Sequence, residues 1–339
     1  MDRKNLYCYL KSLIMLYFCG EGRKVVLKRK NMTLQQLEYI VAVDRMHHFA
    51  KAAEACGVTQ PTLSAMVQKL EAELGVRLFE RSSQQVVTTR AGQDVVRQAG
   101  VVLAAAADVR HIVSEAQGSL AGTFRLGILP TIAPYLLPRF FPGLCAAHPE
   151  MELHVAELKT DAAKQALREG RIDAAVVVSL DDMEEFGQAT LYYEQFLAYV
   201  SRGDRLFSHT TVKSVDFDKE KLWLLDEGHC FRDQLVKFCS LKSARESQQA
   251  YSLGSIETFM RIVEGGRGVT FIPELALEQL TAVQKELVRP FALPIPTRQV
   301  VLLTPKNFVR HAVRDLLVQT ISGCVPARMR QFNNTEQRV

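Results

Sequence analysis

The N-terminal fold is decided by residues 49–74, which read FAKAAEACGVTQPTLSAMVQKLEAEL. The small alanines allow two helices to cross closely, and Gly57 permits a tight turn between them. Thr59 is a favourable N-cap and Pro61 is tolerated in a first helical turn, so a further helix begins here and runs to about Leu74. The stretch therefore predicts a helix–turn–helix.

The helix after this turn has one apolar and one polar face. Its apolar residues recur at spacings of four, three and four, at Leu63, Val67, Leu70 and Leu74. Its opposite side carries Gln60, Ser64 and Gln68 at intervals of four. Short polar side chains on the helix that follows a tight turn are typical of a helix that reads bases in the DNA major groove. A small helical domain with a solvated polar face is the alternative.

Regular patterns continue on both sides of this motif. Residues 34–45 have a helical apolar face before it, and residues 76–89 are β-prone and include Arg77 and Arg81, as in a wing. Residues 92–117 then carry small apolar residues at alternating spacings of four and three, at Val95, Ala99, Val102, Ala106, Val109, Val113 and Ala116. This heptad seam predicts a long dimerisation helix. Packing of the helix on its own domain is the alternative.

From residue 123 onward, short β-type runs alternate with helical segments. The predicted strands are 123–129, 152–158, 174–178, 191–200, 222–225, 269–272 and 300–303, and helices include 161–169, 255–264 and 309–319. Such alternation is typical of an α/β region with largely parallel sheets. About two hundred residues are many for one sheet, so we expect two sub-domains joined by crossing strands, with a ligand cleft between them.

Two cysteines, Cys230 and Cys239, are nine residues apart in the stretch GHCFRDQLVKFC, residues 228–239. If the segment is helical, about 13 Å of helix axis separates them and they lie on opposite faces. A disulfide needs Cα atoms within roughly 7 Å, so the thiols could bond only after the helix unwinds. The pattern fits either a redox switch that refolds its own segment or two buried free cysteines, which are common in protein cores.

The overall composition narrows the classes of protein to consider. The chain has 339 residues, a net charge of +5 and seven cysteines. So few cysteines in so long a chain do not form a secreted disulfide framework and fit a reducing cytoplasm. The mild charge means that any nucleic-acid surface must be local. We expect no cofactor and no metal, because neither a phosphate-binding glycine loop nor zinc-ligand spacing occurs.

The N-terminus stands apart from the patterned chain. Residues 6–19 are apolar, but Lys11 interrupts them and they are too short to span a bilayer comfortably, so no membrane association is expected. We interpret residues 1–31 as a non-native or unstructured extension. We expect a DNA-binding domain over 32–91, a linker helix over 92–120, a regulatory domain over 121–325 and a disordered tail over 326–339.

The part of the chain after Met32 resembles the LysR-type transcriptional regulators. The resemblance is carried by Leu37-Glu38-Tyr39, Phe49-x-x-Ala52-Ala53, Thr59-Gln60-Pro61-Thr62-Leu63-Ser64, Lys69-Leu70-Glu71, Leu74-Gly75-Val76-x-Leu78-Phe79-Glu80-Arg81, Gly127-Ile128-Leu129-Pro130-Thr131 and Gly266-x-Gly268-Val269-x-x-x-Pro273. It implies a winged helix–turn–helix, a linker helix and a C-terminal α/β domain of two sub-domains resembling a periplasmic binding protein. It also implies a homodimer or homotetramer on double-stranded promoter DNA. Gln60, Pro61, Ser64 and Gln68 would lie in or near the major groove, and Arg81 and Thr89 would face the backbone or minor groove.

Within that family, residues 228–239 and 130–138 resemble the OxyR branch of hydrogen peroxide sensors. The resemblance implies that Cys230 attacks the peroxide and that Cys239 then forms a disulfide with it. A helix N-terminus favours a thiolate, and His229 and Arg232 could support it. Thr131 and Thr160 resemble the hydroxyls of the peroxide pocket. Asp233 either relays a proton or only pairs with Arg232.

Such a regulator would control antioxidant defence genes, would be no enzyme, and would need a disulfide reductant, with RNA polymerase as a further partner. Two other functions fit the same residues. A LysR-type regulator could instead bind a small organic effector in the cleft, with passive cysteines. A thiol peroxidase on a binding-protein-like domain is the enzymatic alternative.

Overall fold

The computed structural model describes residues 32–81, 86–217, 222–225, 230–239, 255–266 and 268–339. The interpretation of residues 1–31 as an extension, the predicted role of His229 and residues 240–254 lie outside this part of the chain.

The first described domain is a winged helix–turn–helix, as the sequence predicts. Its helices are α1 (Leu34–Met46), α2 (Phe49–Ala55) and α3 (Gln60–Leu74). Thr33 closes a capping box with Gln36 at the start of α1, and Thr59 is the N-cap of α3. The antiparallel strands β1 (Phe79–Arg81) and β2 (Val86–Thr88) form the wing.

Helix α4 (Arg90–Ala116) confirms the long helix predicted over residues 92–117. Near its start, the seam packs against the DNA-binding domain, where Ala99 is buried. Toward its end the seam is open, and Val109, Ile112 and Val113 are 63%, 52% and 54% exposed. The first half of the helix therefore packs on its own domain, and dimerisation through the exposed second half stays a prediction.

The remaining chain folds into strands and helices that form one continuous sheet path. The strands are β3 (Gly122–Ile128), β4 (Met151–Glu157), β5 (Ala174–Val178), β6 (Phe186–Val200), β7 (Val269–Pro273), β8 (Val288–Pro290), β9 (Ile295–Pro305) and β10 (Glu336–Arg338). The helices are α5 (Ala133–Ala147), α6 (Thr160–Arg168), α7 (Cys230–Phe238), α8 (Ile256–Glu264), α9 (Ala282–Lys285) and α10 (His311–Gly323). The strand order is β4-β3-β5-β9-β6-β7, with β10 beside β9 and β8 beside β6.

Two sub-domains share this path because β6 crosses from one to the other. Its first part pairs with β9 and its last residues, from Phe196, pair with β7 and β8. The expectation of largely parallel sheets is wrong. Strands β3, β4 and β5 are parallel, but β9 runs antiparallel to β5 and β6, and β6 is antiparallel to β7 and β8. Strand β6 leaves the first sub-domain and β9 returns to it, so β9 runs in the opposite direction to β6.

Two further elements differ from the sequence-based expectations. Helix α5 was not predicted, because it contains Pro138 and Pro142 in its interior. The expectation of a disordered tail over 326–339 is also wrong. Residues Ala327–Arg330 form a 3-10 helix, and β10 pairs in parallel with the start of β9. The polar composition of the tail concealed this pairing, since the main-chain hydrogen bonds that add a strand to a sheet leave no hydrophobic pattern in the sequence.

Candidate functional site

Two threonines lie at the same edge of the sheet in the first sub-domain. Thr131 follows β3, Thr160 is the first residue of α6 and follows β4, and both side chains are buried. Because β3 and β4 are parallel neighbours, their carboxyl ends lie at the same edge of the sheet. This edge is where open α/β sheets bind small molecules.

Cys230 is the first residue of α7 and lies beside Thr160. Its side chain is buried, and burial raises the pKa of the thiol above its ordinary value. The Thr160 hydroxyl, the charge of Arg298 and the Phe231 backbone each lower that pKa, but they do not offset burial. At this helix N-terminus burial thus opposes the thiolate that the sequence led us to expect, because desolvation favours the neutral thiol.

The Thr160 hydroxyl lies next to this sulfur and has hydrogen-bonding capacity that the described residues leave unused. Its oxygen is buried, and within the described residues it has no partner of good hydrogen-bond geometry. The contact with the thiol is therefore loose, although it favours the charged form of sulfur. A small molecule with its own O–H groups could occupy the unused position and contact the sulfur and the hydroxyl together.

A buried arginine contacts Thr131 and places its charge near the cysteine. Arg298 on β9 donates from Nη1 to Thr131 Oγ1 at 3.3 Å and from Nη2 to the Thr131 carbonyl at 3.1 Å. Its guanidinium carbon lies 5.0 Å from the centre of the Phe231 ring, next to Cys230 in the chain. Sequence reasoning missed Arg298, although a lone arginine in the apolar strand IPTRQVVLL, residues 295–303, is an available signal.

Glu194 on β6 holds this arginine. Nε and Nη2 of Arg298 donate to Glu194 Oε2 at 2.9 and 2.6 Å, and both side chains are 1% exposed. The other carboxylate oxygen accepts from the Leu275 backbone at 3.1 Å. The pair is thus hydrogen-bonded on both sides, which a buried charge requires.

The charged residues of α7 lie at different depths. Arg232 is largely buried, with its Nη1 3.9 Å from Asp233 Oδ1, and Asp233 is 58% exposed. The charge of Asp233 raises the pKa of Cys230. Asp233 is therefore placed to pair with Arg232 rather than to activate the thiol.

Cys239 directly follows α7 and is separated from Cys230 by the whole helix. Its backbone N–H donates to the Leu235 carbonyl at 2.8 Å, so the helical hydrogen bonding extends to it. Both cysteines are free and buried, and burial raises the pKa of Cys239 to about 12. Phe238 packs its ring 5.7 Å from that of Phe291. A disulfide would require the helix to unwind and this aromatic contact to break.

The predicted DNA-contacting residues lie in two places. Gln60, Pro61 and Gln68 are exposed and Ser64 is half-buried, and all four belong to α3. Arg81 ends β1, and Thr89 caps α4 by accepting from the Gly92 N–H at 2.9 Å while its hydroxyl donates to the Arg77 carbonyl at 2.8 Å. The Thr89 hydroxyl is thus engaged within the protein, at the base of the wing.

Within the described ranges, no three His, Cys, Asp or Glu side chains are placed to hold a metal ion. Of the helices in those ranges, none combines the length and the apolar character needed to cross a bilayer.

Comparison with family models covers most of the chain. Residues 34–93 match the model described as bacterial regulatory helix-turn-helix protein, lysR family. Residues 117–322 match the LysR substrate binding domain.

Similar proteins of known name share this organisation. The hydrogen peroxide-inducible genes activator of Haemophilus influenzae is 34% identical over 80% of this chain and 90% of its own length. The DNA-binding transcriptional dual regulator OxyR of Escherichia coli is 34% identical, over 80% of this chain and 89% of its own. A full-length OxyR variant from Pseudomonas aeruginosa has a TM-score of 0.73 and 33% identity, covering 90% of this chain and 99% of that one.

Proposed function

Because the chain belongs to the LysR family of bacterial regulators, we propose that it is a transcription factor that senses hydrogen peroxide. The observation that carries the proposal is the position of Cys230. It lies beside the Thr160 hydroxyl, which has no hydrogen-bond partner of good geometry among the described residues, and within the field of the buried Arg298. Hydrogen peroxide both donates and accepts hydrogen bonds, so it fits the free position at this hydroxyl.

The proposed chemistry has two steps. The Cys230 sulfur, after losing its proton, attacks one peroxide oxygen and breaks the O–O bond, which gives a sulfenic acid and hydroxide. The hydroxide takes up the proton and leaves as water. The Cys239 thiol then attacks the sulfenic sulfur, forms the Cys230–Cys239 disulfide and releases a second water. A disulfide reductant in the cell returns the pair to two thiols.

The polar residues around Cys230 have different roles in this chemistry. Arg298 stabilises negative charge on the sulfur and on the departing oxygen, while Thr131 and Thr160 orient the peroxide through their hydroxyls. Arg232 adds positive charge from α7. Since Cys239 is buried at the far end of that helix, the second step also requires the helix to unwind.

Unwinding of α7 would couple oxidation of the two thiols to DNA binding. The helix packs into the core of the second sub-domain through Phe231 and Leu235, so its loss changes the surface of that sub-domain. In a homodimer or homotetramer joined through α4, such a change alters the spacing of the DNA-binding domains on promoter DNA. We expect α3 to enter the major groove with Gln60, Pro61, Ser64 and Gln68, and Arg81 and Thr89 to lie near the backbone. RNA polymerase then responds at antioxidant genes, in the cytoplasm where the bacterial chromosome lies.

The test compares DNA footprints before and after peroxide treatment. We expect the wild-type footprint to change, the Cys230→Ser footprint to stay in its reduced form, and the Cys145→Ser control to behave as wild type. A peroxide-dependent change that survives in Cys230→Ser would contradict the proposal. A footprint that responds to a metabolite and not to peroxide would indicate an effector-binding regulator. Sustained peroxide consumption with an external thiol would indicate a peroxidase.

A further inference from the structure

The ordered end of the described chain contacts the helix that carries the sensing cysteine. Strand β10 runs parallel to the start of β9, with Glu336 opposite Ile295 and Arg338 opposite Thr297. The next residue, Val339, continues the pairing, since its N–H donates to the Thr297 carbonyl at 3.2 Å. This strand therefore ends beside the position in β9 that bears Arg298.

One hydrogen bond joins this strand to α7. Gln234 Nε2 donates to the Val339 carbonyl at 2.6 Å. Gln234 is buried and lies four residues after Cys230, on the same face of the helix. Val339 also packs against the hydrophobic core. The bond fixes the first full turn of α7 against a strand that pairs with the start of β9.

Two further contacts anchor the strand away from the helix. Arg338 Nη2 donates to Ser179 Oγ at 2.8 Å, at the end of β5. Gln195 Nε2 on the crossing strand β6 donates to Glu336 Oε1 at 2.7 Å. The segment 336–339 is thus attached to the first sub-domain at Ser179, to the crossing strands, and to the redox helix at Gln234.

We propose that residues 336–339, here named the strap, hold α7 in its reduced conformation and set the rate at which Cys239 reaches oxidised Cys230. The proposal rests on the proposed function, because it concerns the second step of the same redox reaction. The strap takes no part in the chemistry. Unwinding α7 moves Gln234 away from Val339, and a buried polar group that loses its partner opposes that movement.

The consequence is a difference between the two oxidation steps. Formation of the sulfenic acid needs only peroxide at Cys230, with α7 intact. Formation of the disulfide needs α7 to open, and the strap resists opening. A weaker strap should therefore speed disulfide formation and leave the rate constant for sulfenic acid formation unchanged.

The test uses the full chain and two variants, one lacking residues 336–339 and one with Arg338→Ala. The matched control is Arg314→Ala, which removes another partly exposed arginine with a surface partner, Asp315. Samples are mixed with hydrogen peroxide, quenched with an alkylating reagent at set times and analysed by intact mass. We expect the first-order rate of disulfide formation to rise about tenfold without the strap, the size expected for one buried hydrogen bond, and less for Arg338→Ala.

Hydrogen exchange measured on the reduced proteins tests the strap without any peroxide. Amides of residues 231–239 should exchange faster in both strap variants than in wild type and Arg314→Ala. Equal exchange and equal rates of disulfide formation in all four proteins would contradict the proposal that the strap holds α7. If wild type forms no Cys230–Cys239 disulfide, the proposed function fails instead, while the exchange result still decides whether the strap holds α7.

Discussion

Glu194 and Arg298 are direct cross-strand partners on the antiparallel strands β6 and β9, and their buried side chains form a two-bond ion pair. The pair lies where the first sub-domain continues into the second. It brings a positive charge to the cysteine at the start of α7, and the carboxylate compensates that charge. The register of β6 and β9 therefore sets the charge near Cys230, because it brings together two residues that are 104 positions apart.

The first prediction concerns the stability of this pair. Glu194→Gln should lower the free energy of unfolding by about 3–5 kcal/mol, because it leaves a buried arginine without its counter-charge. Urea unfolding of the reduced protein measures the change. Glu185→Gln is the control, since Glu185 pairs with Arg168 at the surface and should cost less than about 1 kcal/mol. Equal losses in the two variants would contradict a buried role for the pair.

The second prediction concerns the charge of Arg298. This charge lowers the pKa of Cys230, so Arg298→Met should raise that pKa further and Arg298→Lys should raise it less. The rate of Cys230 alkylation, followed by mass spectrometry of its peptide, should then reach half its maximum at a higher pH in Arg298→Met. An unchanged pH dependence would show that the charge does not act on the sulfur.

The third prediction concerns the Thr160 hydroxyl. Thr160→Val keeps the shape of the side chain and removes the group that contacts the sulfur and remains open to a peroxide. We expect the second-order rate constant for sulfenic acid formation to fall about tenfold, and Thr160→Ser to retain most of the wild-type rate. Stopped-flow mixing with hydrogen peroxide measures both. If valine reacts as fast as threonine, the hydroxyl has no part in binding peroxide.

The fourth prediction follows from the pKa of Cys239, which burial raises from 9.0 to about 12. The folded state favours the neutral thiol, so this group contributes its full stability below pH 9 and loses it as pH rises from 9 to 12. The difference in unfolding free energy between wild type and Cys239→Ala should therefore shrink over that range. A constant difference would mean that the Cys239 thiol ionises equally easily in both states.

Local patterns predicted much of this fold. The helix–turn–helix and α4 follow from spacings within a few turns, and local periodicity records them because each helix buries one face. Six of the seven strands predicted in the α/β domain occur, whereas the strand predicted over 222–225 is wrong, because only Leu222 pairs there, in an isolated bridge with Val269. Helix α5 was missed because Pro138 and Pro142 interrupt the usual helical signal. The helix nevertheless contains both prolines in its interior.

The site could be predicted only in part. Cys230 and Cys239 were proposed from their spacing and a family resemblance, and Thr131 and Thr160 from the resemblance alone. Arg298 and Glu194 come together only through the register of β6 and β9. The strap was interpreted as disorder for the same reason. Its residues are polar, and what orders them is a backbone pairing with β9 and a bond to Gln234, neither of which leaves a periodic signal.

The last prediction concerns the open half of the heptad seam. Val109 and Val113 lie one turn apart on α4 and remain exposed in the single chain, so a partner helix is needed to cover them. Val109→Glu combined with Val113→Glu places two like charges in that seam and should convert dimers or tetramers to smaller species. Light scattering after size-exclusion chromatography measures the mass. Val283→Glu is the matched control, because Val283 is 62% exposed on α9 and a charge there should leave the assembly intact. An unchanged mass in the double variant, with normal circular dichroism, would place the subunit contact elsewhere.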